Sequence, residues 1–514
     1  MSALAGARAY VVPLLLAPAL LAGSAATSAP PRRCSAPLRG QTLEHIARIE
    51  RGLRSAVLIR GRTPDAMTLD ARMRYHRVPG VSIAIIDSFR VVAACGYGVR
   101  ALDGDTSQSR AQVTPTTIFQ AASISKSVAA LGTLVLVQSG RLTLDEDVNH
   151  WLTTWKIPEN EFTRRQPVTL RTLLSHGAGI TVHGFEGYAA GAPVPTLVQV
   201  LDGLPPANSA PIRVDQTPGE SWRYSGGGYT VLQQMLIDVS GRSFPALMHD
   251  TILRPLGMTH SAYEQPLTPR DTADAASGYR SDGRLVPGRY HTYPELAAAG
   301  LSTTPADLAR FVIAIEQAAR GARHAVLSPA LVHQMLTPQT GDYGLGVALD
   351  TSGGALRFSH GGANEGFRAF YVGFPATGQG AVIMTNSDAG DALYSEIVRA
   401  IAAEYRWPAL QPVEREETPA EESELRAIPG RYLIAAGSDS VPLDIVARGD
   451  TLVAQLSAWS HDRVLHRAAA WSYFFVEEPL DMSFEPDSAG RVTGVTLNAS
   501  SQVLHASRVP HPLR

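Results

Sequence analysis

Ser123-Ile-Ser-Lys126 holds the residue types that acyl transfer to a serine requires. A hydroxyl is a weak nucleophile until a neighbouring base takes its proton, and a desolvated lysine amine can be that base. The stretch opens an apolar run through Leu131, Leu134 and Val137, and Gly140 stands where a helix end favours glycine. On such a helix, residues three apart lie about 60° apart around the axis and share a face, which places Ser123 and Lys126 together. The helix start adds backbone N–H groups and a positive dipole end, both suited to a developing oxyanion. Lysine is scarce here: Lys126 and Lys156 are the only two, and every other strong base is arginine. Arginine stays charged and cannot replace lysine as a base. The ordinary alternative is a surface lysine near a helix start, and the scarcity weighs against it.

Two further stretches add to this pair. Tyr224-Ser225-Gly226 sits in a glycine-dense loop, Pro218 to Gly228, ahead of a helix expected from Tyr229 to Val239. His360-Gly361-Gly362 ends an expected strand, where glycines let a substrate lie along the edge. Alone, Tyr224 could pack on a neighbouring loop and His360 could be a core histidine. His176, in the Ser175-His-Gly-Ala-Gly179 turn, reads as structural. There is no Gly-x-Ser-x-Gly elbow, no His-Glu-x-x-His and no Cys-x-x-Cys, and the 15 histidines lack ligand spacing. The expectation is therefore chemistry without a metal or organic cofactor.

The order Ser-x-x-Lys, Tyr, His-x-Gly resembles the serine hydrolases of the penicillin-binding-protein and class C β-lactamase superfamily. Val78-Pro-Gly80, Leu173-Leu-Ser-His-Gly177, Tyr224-Ser-Gly-Gly-Gly-Tyr229 and Pro255-Leu-Gly-Met258 add to the resemblance, which spans roughly residues 41–405. It implies a helical lobe beside helices on an antiparallel sheet, with the site between them. It implies Ser123 as acyl-accepting nucleophile, and Lys126 as base or as the cation holding Tyr224 as a phenolate base. It implies His360 as a group that orients Tyr224 or meets substrate, and the N–H groups of Ser123 and Ala363, beside Gly362, as the oxyanion hole. One departure stands out: the second motif usually reads Tyr-x-Asn, and here the third position is Gly226. That asparagine normally meets a substrate amide, so its loss turns the expectation towards small esters and away from β-lactams and peptides.

The elements that must position these residues follow from patterning. Leu43, Ile46, Ile49 and Leu53 recur at helical spacing between Gln41 and Ile59, and a second helix is expected from Met67 to Arg77. Val81 to Ile86 and Val91 to Cys95 read as strands joined at Asp87 to Arg90. Residues 141–340 show helical signals, among them Thr304-Pro305-Ala306-Asp307 as a helix start. Strands are expected again at Tyr343–Asp350, Ala355–Ser359, Arg368–Phe374 and Gly380–Thr385, then a closing helix from Glu396 to Trp407. The fold class is α+β: one antiparallel sheet built from both ends of the domain, with a helical insertion. The domain is expected over 30–412, then an acidic linker over 413–427 and a small antiparallel β domain over 428–514.

With 514 residues the chain exceeds one compact core, and a net charge of −2 without a basic stripe argues against nucleic acid as a partner. Residues 1–29 read as a secretory signal: Arg8, an apolar core broken by Pro13 and Pro18, then small residues. That core is too short for a membrane span, so export to the periplasm or outside is expected. Export would permit a Cys34–Cys95 bridge, but Cys95 in a core strand favours a buried free thiol. Amide substrates are the competing chemistry. A cell-wall binding or sensing protein without turnover is the competing class, and the retained Ser123, Lys126 and Tyr224 argue against it.

Overall fold

The structure is a computed structural model that describes residues 32–509, apart from 64–66, 103, 105–110, 323–325, 437–438, 457–458, 460 and 500–501. The expected leader, 1–29, lies outside the described residues. Seven strands form the main sheet: β1 (Arg33–Cys34), β2 (Gly80–Asp87), β3 (Arg90–Gly98), β4 (Ala348–Asp350), β5 (Arg357–Asn364), β6 (Phe367–Phe374) and β7 (Gln379–Thr385). The helices that matter most are α1 (Gly40–Arg51), α2 (Ile124–Gln138), α3 (Gly226–Ser240), α4 (Pro305–Ala319) and α5 (Gly390–Glu404).

Apart from Ser82, Val81 to Ile86 is apolar without alternation because both faces of β2 are covered. Ile83 and Ile85 join Ile46 and Ile49 of α1 and Ile397 of α5 on one face. Ala84 and Ile86 join Val128 of α2 and Phe311 of α4 on the other. Strand order is β1-β3-β2-β7-β6-β5-β4 with every neighbour antiparallel. Ile83 faces Ile383, so the two ends of the domain meet in mid-sheet, as the α+β reading expects. Ser88 and Phe89 turn β2 into β3 with φ of 51° and 62°, the two left-handed positions of a tight hairpin. Opposite the α1/α5 face lies the helical insertion. Among the described residues no helix is long and apolar enough to cross a membrane.

Three expectations change. Helical spacing up to Ile59 fails because α1 stops at Arg51; Gly52 follows, and Val57–Ile59 pairs in parallel with Val413–Arg415. The strand from Tyr343 shortens to β4 because residues 343–347 loop over α2. There Gly346 has a φ of +86°, and a Cβ on it would lie 2.3 Å from Ala130 Cβ. Cys34 and Cys95 are bonded rather than free. The two-residue β1 lies on the edge of β3 with Cys34 directly opposite Cys95, a register that patterning over so short a strand does not reveal.

The C-terminal strands close into an eight-stranded antiparallel barrel, with Tyr432 near its start paired to Arg508 near its end. Closure leaves no free sheet edge. The acidic segment before it has structure of its own. Its helix Glu422–Ala427 buries Glu424, which accepts from the Arg467 guanidinium (2.7 Å), the Tyr473 hydroxyl (2.6 Å) and the Trp471 N–H (2.9 Å).

Candidate active site

Ser123 occupies the residue just before α2, and Ala122 precedes it at a φ of +51°. Such a conformation costs a non-glycine residue free energy and persists where surroundings fix it. Here they do: Ala121 N–H donates to Leu301 O (2.8 Å), Ser125 Oγ donates to Ala122 O (2.5 Å), and Leu301 N–H donates to Ser125 Oγ (2.9 Å). One turn on, Lys126 is buried. Its Nζ lies 2.9 Å from Ser123 Oγ and donates to Ala298 O at 2.8 Å. Burial lowers its pKa to about 7.

Tyr224 stands immediately before the Ser225 cap of α3, whose hydroxyl accepts from Gly228 N–H at 2.9 Å. Lys126 Nζ lies 5.0 Å from the centre of the Tyr224 ring. Burial pushes the phenol above its ordinary range, and the nearby Ser123 hydroxyl pulls the other way. His176 backs the ring at 4.3 Å between centres and 35° between planes. Its Nδ1 accepts from Ser225 N–H at 3.1 Å, which leaves the ring proton on Nε2. Burial, then the charge of Lys126, keep it uncharged. Tyr343 and His183 complete the wall, 4.8 Å from His176 and 4.9 Å from Tyr224 respectively.

β5 brings the third group. β4 covers β5 only from Arg357 to Ser359, so among the described residues the edge from His360 to Asn364 has no strand on that side. The His360 ring lies 6.1 Å from that of Tyr224, without a hydrogen bond to its hydroxyl among the described contacts. Its Nδ1 faces Gly361 O at 2.6 Å and must donate there. Nε2 is left buried and unpaired. Burial, then Lys126, lower its pKa to about 4, so the ring is neutral. Gly362 is where β5 meets the Ser123 turn: a Cβ there would sit 2.2 Å from Ala121 O. Ala363 follows on the exposed side of the strand.

The structure thus brings Ser123, Lys126, Tyr224 and His360 to one place, with Gly362 against the turn that holds Ser123. Sequence reasoning missed His183, Tyr343 and the Ala298 carbonyl, which no spacing marks, and read His176 only as structural. Gly226 also gains an explanation. Its N–H donates to His183 O (2.9 Å), and a Cβ would meet His183 O and Phe185 Cε2, each at 3.0 Å. Residues 183–185 therefore lie where a side chain at 226 would project.

A family model described as Beta-lactamase matches residues 66–404. Protein flp of Staphylococcus aureus (strain N315) is 27% identical over 215 residues, which are 40% of this chain and 39% of that protein. The chain thus spans well under half the length of that curated relative. Among solved structures, the octameric penicillin-binding protein homologue from Pyrococcus abyssi has a TM-score of 0.58 at 24% identity, covering 85% of this chain and 98% of that one. The D-amino acid amidase from Ochrobactrum anthropi SV3 complexed with D-phenylalanine has a TM-score of 0.53 at 21% identity, covering 66% and 97%. These structural likenesses are of fold.

Proposed function

The chain belongs to the Beta-lactamase family of serine hydrolases, and from that premise we propose that it cleaves small carboxylic esters through an acyl-enzyme on Ser123. Ser123 Oγ attacks the carbonyl carbon while the Lys126 amine takes its proton. The negative carbonyl oxygen is met by the N–H groups of Ser123 and Ala363. The bond to the leaving alcohol breaks, and the alkoxide receives a proton from the Tyr224 hydroxyl, which Lys126 replenishes. Water then attacks the acyl-enzyme by the reverse proton route and frees Ser123.

The single observation behind this reading is a buried lysine, without an acidic partner among the described residues, 2.9 Å from a serine hydroxyl at a helix start. Burial raises the Tyr224 pKa, which supports Lys126 as the base and Tyr224 as a proton donor rather than a standing phenolate. Esters are preferred to amides because residues 183–185 take the space where an amide-binding side chain at 226 would reach. Amide hydrolysis is the alternative for the same machinery. The Cys34–Cys95 bond supports export to an oxidising compartment. The test is turnover of a p-nitrophenyl short-chain ester beside a chromogenic cephalosporin, with Ser123→Ala as control. Ester turnover that vanishes in the variant is expected; comparable cephalosporin turnover would replace the ester reading with the amide one.

A further inference from the structure

We propose that Asn364 is a positioning residue, whose side-chain amide fixes the gap between the Ser123 and Ala363 N–H groups by tying the end of β5 to the turn that carries Ser123. This rests on the serine-hydrolase reading and adds a residue to that site.

Residues alternate along the end of β5: Gly362 and Asn364 are buried, whereas Gly361 and Ala363 are exposed. The two buried positions meet one short segment. Gly362 lies against Ala121, where a Cβ would sit 2.2 Å from the carbonyl oxygen. Asn364 meets Gln120: its Nδ2 donates to Gln120 Oε1 at 2.9 Å and to Ala299 O at 3.2 Å. Ala299 O can only accept, and Gln120 Nε2 is spent on His291 O at 2.8 Å, so the nitrogen of Asn364 must face both. Ala363 is thus held between a close approach on one side and an amide staple on the other.

A buried amide with its partners in place is usually no more than part of a core. What sets Asn364 apart is where its two acceptors sit. Gln120 lies in the two-residue strand Phe119–Gln120, which pairs with Ser302–Thr303 and runs into the Ser123 turn. Ala299 follows Ala298, whose carbonyl oxygen accepts from Lys126 Nζ at 2.8 Å. Shortly after it, Leu301 accepts from Ala121 N–H and donates to Ser125 Oγ. One side chain therefore joins β5, the nucleophile turn and the support of the base. An oxyanion is stabilised when its donors stand about 2.7–3.1 Å from it, so the spacing across this joint decides how well Ser123 and Ala363 meet one oxygen. An apolar residue at 364 would leave Gln120 Oε1 and Ala299 O without this donor, which is unfavourable for buried acceptors and would shift both segments.

The carbonyl stretch of the Ser123 acyl-enzyme reads the hydrogen bonds to that oxygen. It is measured by infrared difference spectroscopy with a slow ester, isotope-labelled and unlabelled at the carbonyl. In Asn364→Leu the band should move to higher frequency. kcat should fall by about 10–10² with KM little changed, less than the ~10²–10³ that removal of a donor costs. Gln120→Met removes the acceptor from the other side and should move band and kcat in the same directions by less. A folded Asn364→Leu protein with an unmoved band overturns the proposal, whether or not kcat falls. If Asn364→Leu does not fold, by its melting curve, Gln120→Met decides: a raised frequency supports the proposal and an unmoved band overturns it. Labelling of Ser123 by a fluorophosphonate keeps the two readings apart. Labelled wild type whose band ignores both substitutions loses only the positioning role, whereas unlabelled wild type inactive on the ester loses the hydrolase reading and this proposal with it.

Discussion

Lys126 has to be neutral to accept a proton, and its surroundings set when that happens. Burial lowers its pKa to about 7, so the amine is protonated below that pH and free above it. kcat/KM should therefore rise with pH through about 7 and level off. The other titratable groups facing it do not reverse this sign: His176, His183 and His360 are each pulled down, and Tyr224 is pushed up. A pH–rate profile that falls across this range would contradict the assignment. Lys126→Met should lower kcat/KM by about 10²–10⁴, the usual weight of a general base. Lys126→Arg should be no better, because a guanidinium does not give up its proton at these pH values. Steady-state kinetics on one ester measures both. His176→Phe keeps a ring behind Tyr224 but removes the acceptor for Ser225 N–H, so kcat should fall more than KM changes. Residue type and spacing made Ser123 and Lys126 legible, because the helix repeat puts them on one face, whereas Tyr224 and His360 were legible through the resemblance of their motifs. His183 and Tyr343 were not legible, since only the path of their loops brings them beside Tyr224.

Two elements do the positioning: the start of α2, fixed by the strained Ala122, and the uncovered edge of β5. They touch at Gly362, where there is room for no side chain. Gly362→Ala forces β5 away from Ala121 O. It should cost ~1–3 kcal/mol of stability, as overpacking does, and should reduce turnover further than the melting temperature shift alone explains. Thermal melts beside kinetics measure both; an active, unshifted variant would mean that β5 need not press on the turn. Long periodic segments such as α2 and α4 were readable because capping and apolar spacing agree; Thr304 does accept from Asp307 N–H at 3.2 Å. Val57–Ile59 was not. Its apolar residues fit a helix repeat as well as a strand, and its partner Val413–Arg415 lies far along the chain.

For the whole molecule, the sheet built from both chain ends puts the N-terminal edge under a covalent clamp. Cys34–Cys95 closes a loop of 61 residues, for which the chain-entropy account gives about 4 kcal/mol. Cys34→Ser with Cys95→Ser should lower the melting temperature clearly while leaving ester kinetics at low temperature close to wild type, since the bond lies across the sheet edge from α2. An unchanged melting curve would mean that β1 adds little to the fold. The closed barrel could be expected only as an antiparallel β domain. Short alternating runs show strands and turns, whereas closure depends on Tyr432 meeting Arg508 across the whole length of that domain.

The central claim is an acyl group carried on Ser123. Intact-protein mass spectrometry of samples quenched during turnover of a slow ester, followed by peptide mapping, tests it directly. The account predicts one added acyl mass, located on the peptide that contains Ser123 and absent from Ser123→Ala. Full turnover by Ser123→Ala, or an acyl group mapped to another residue, would contradict it.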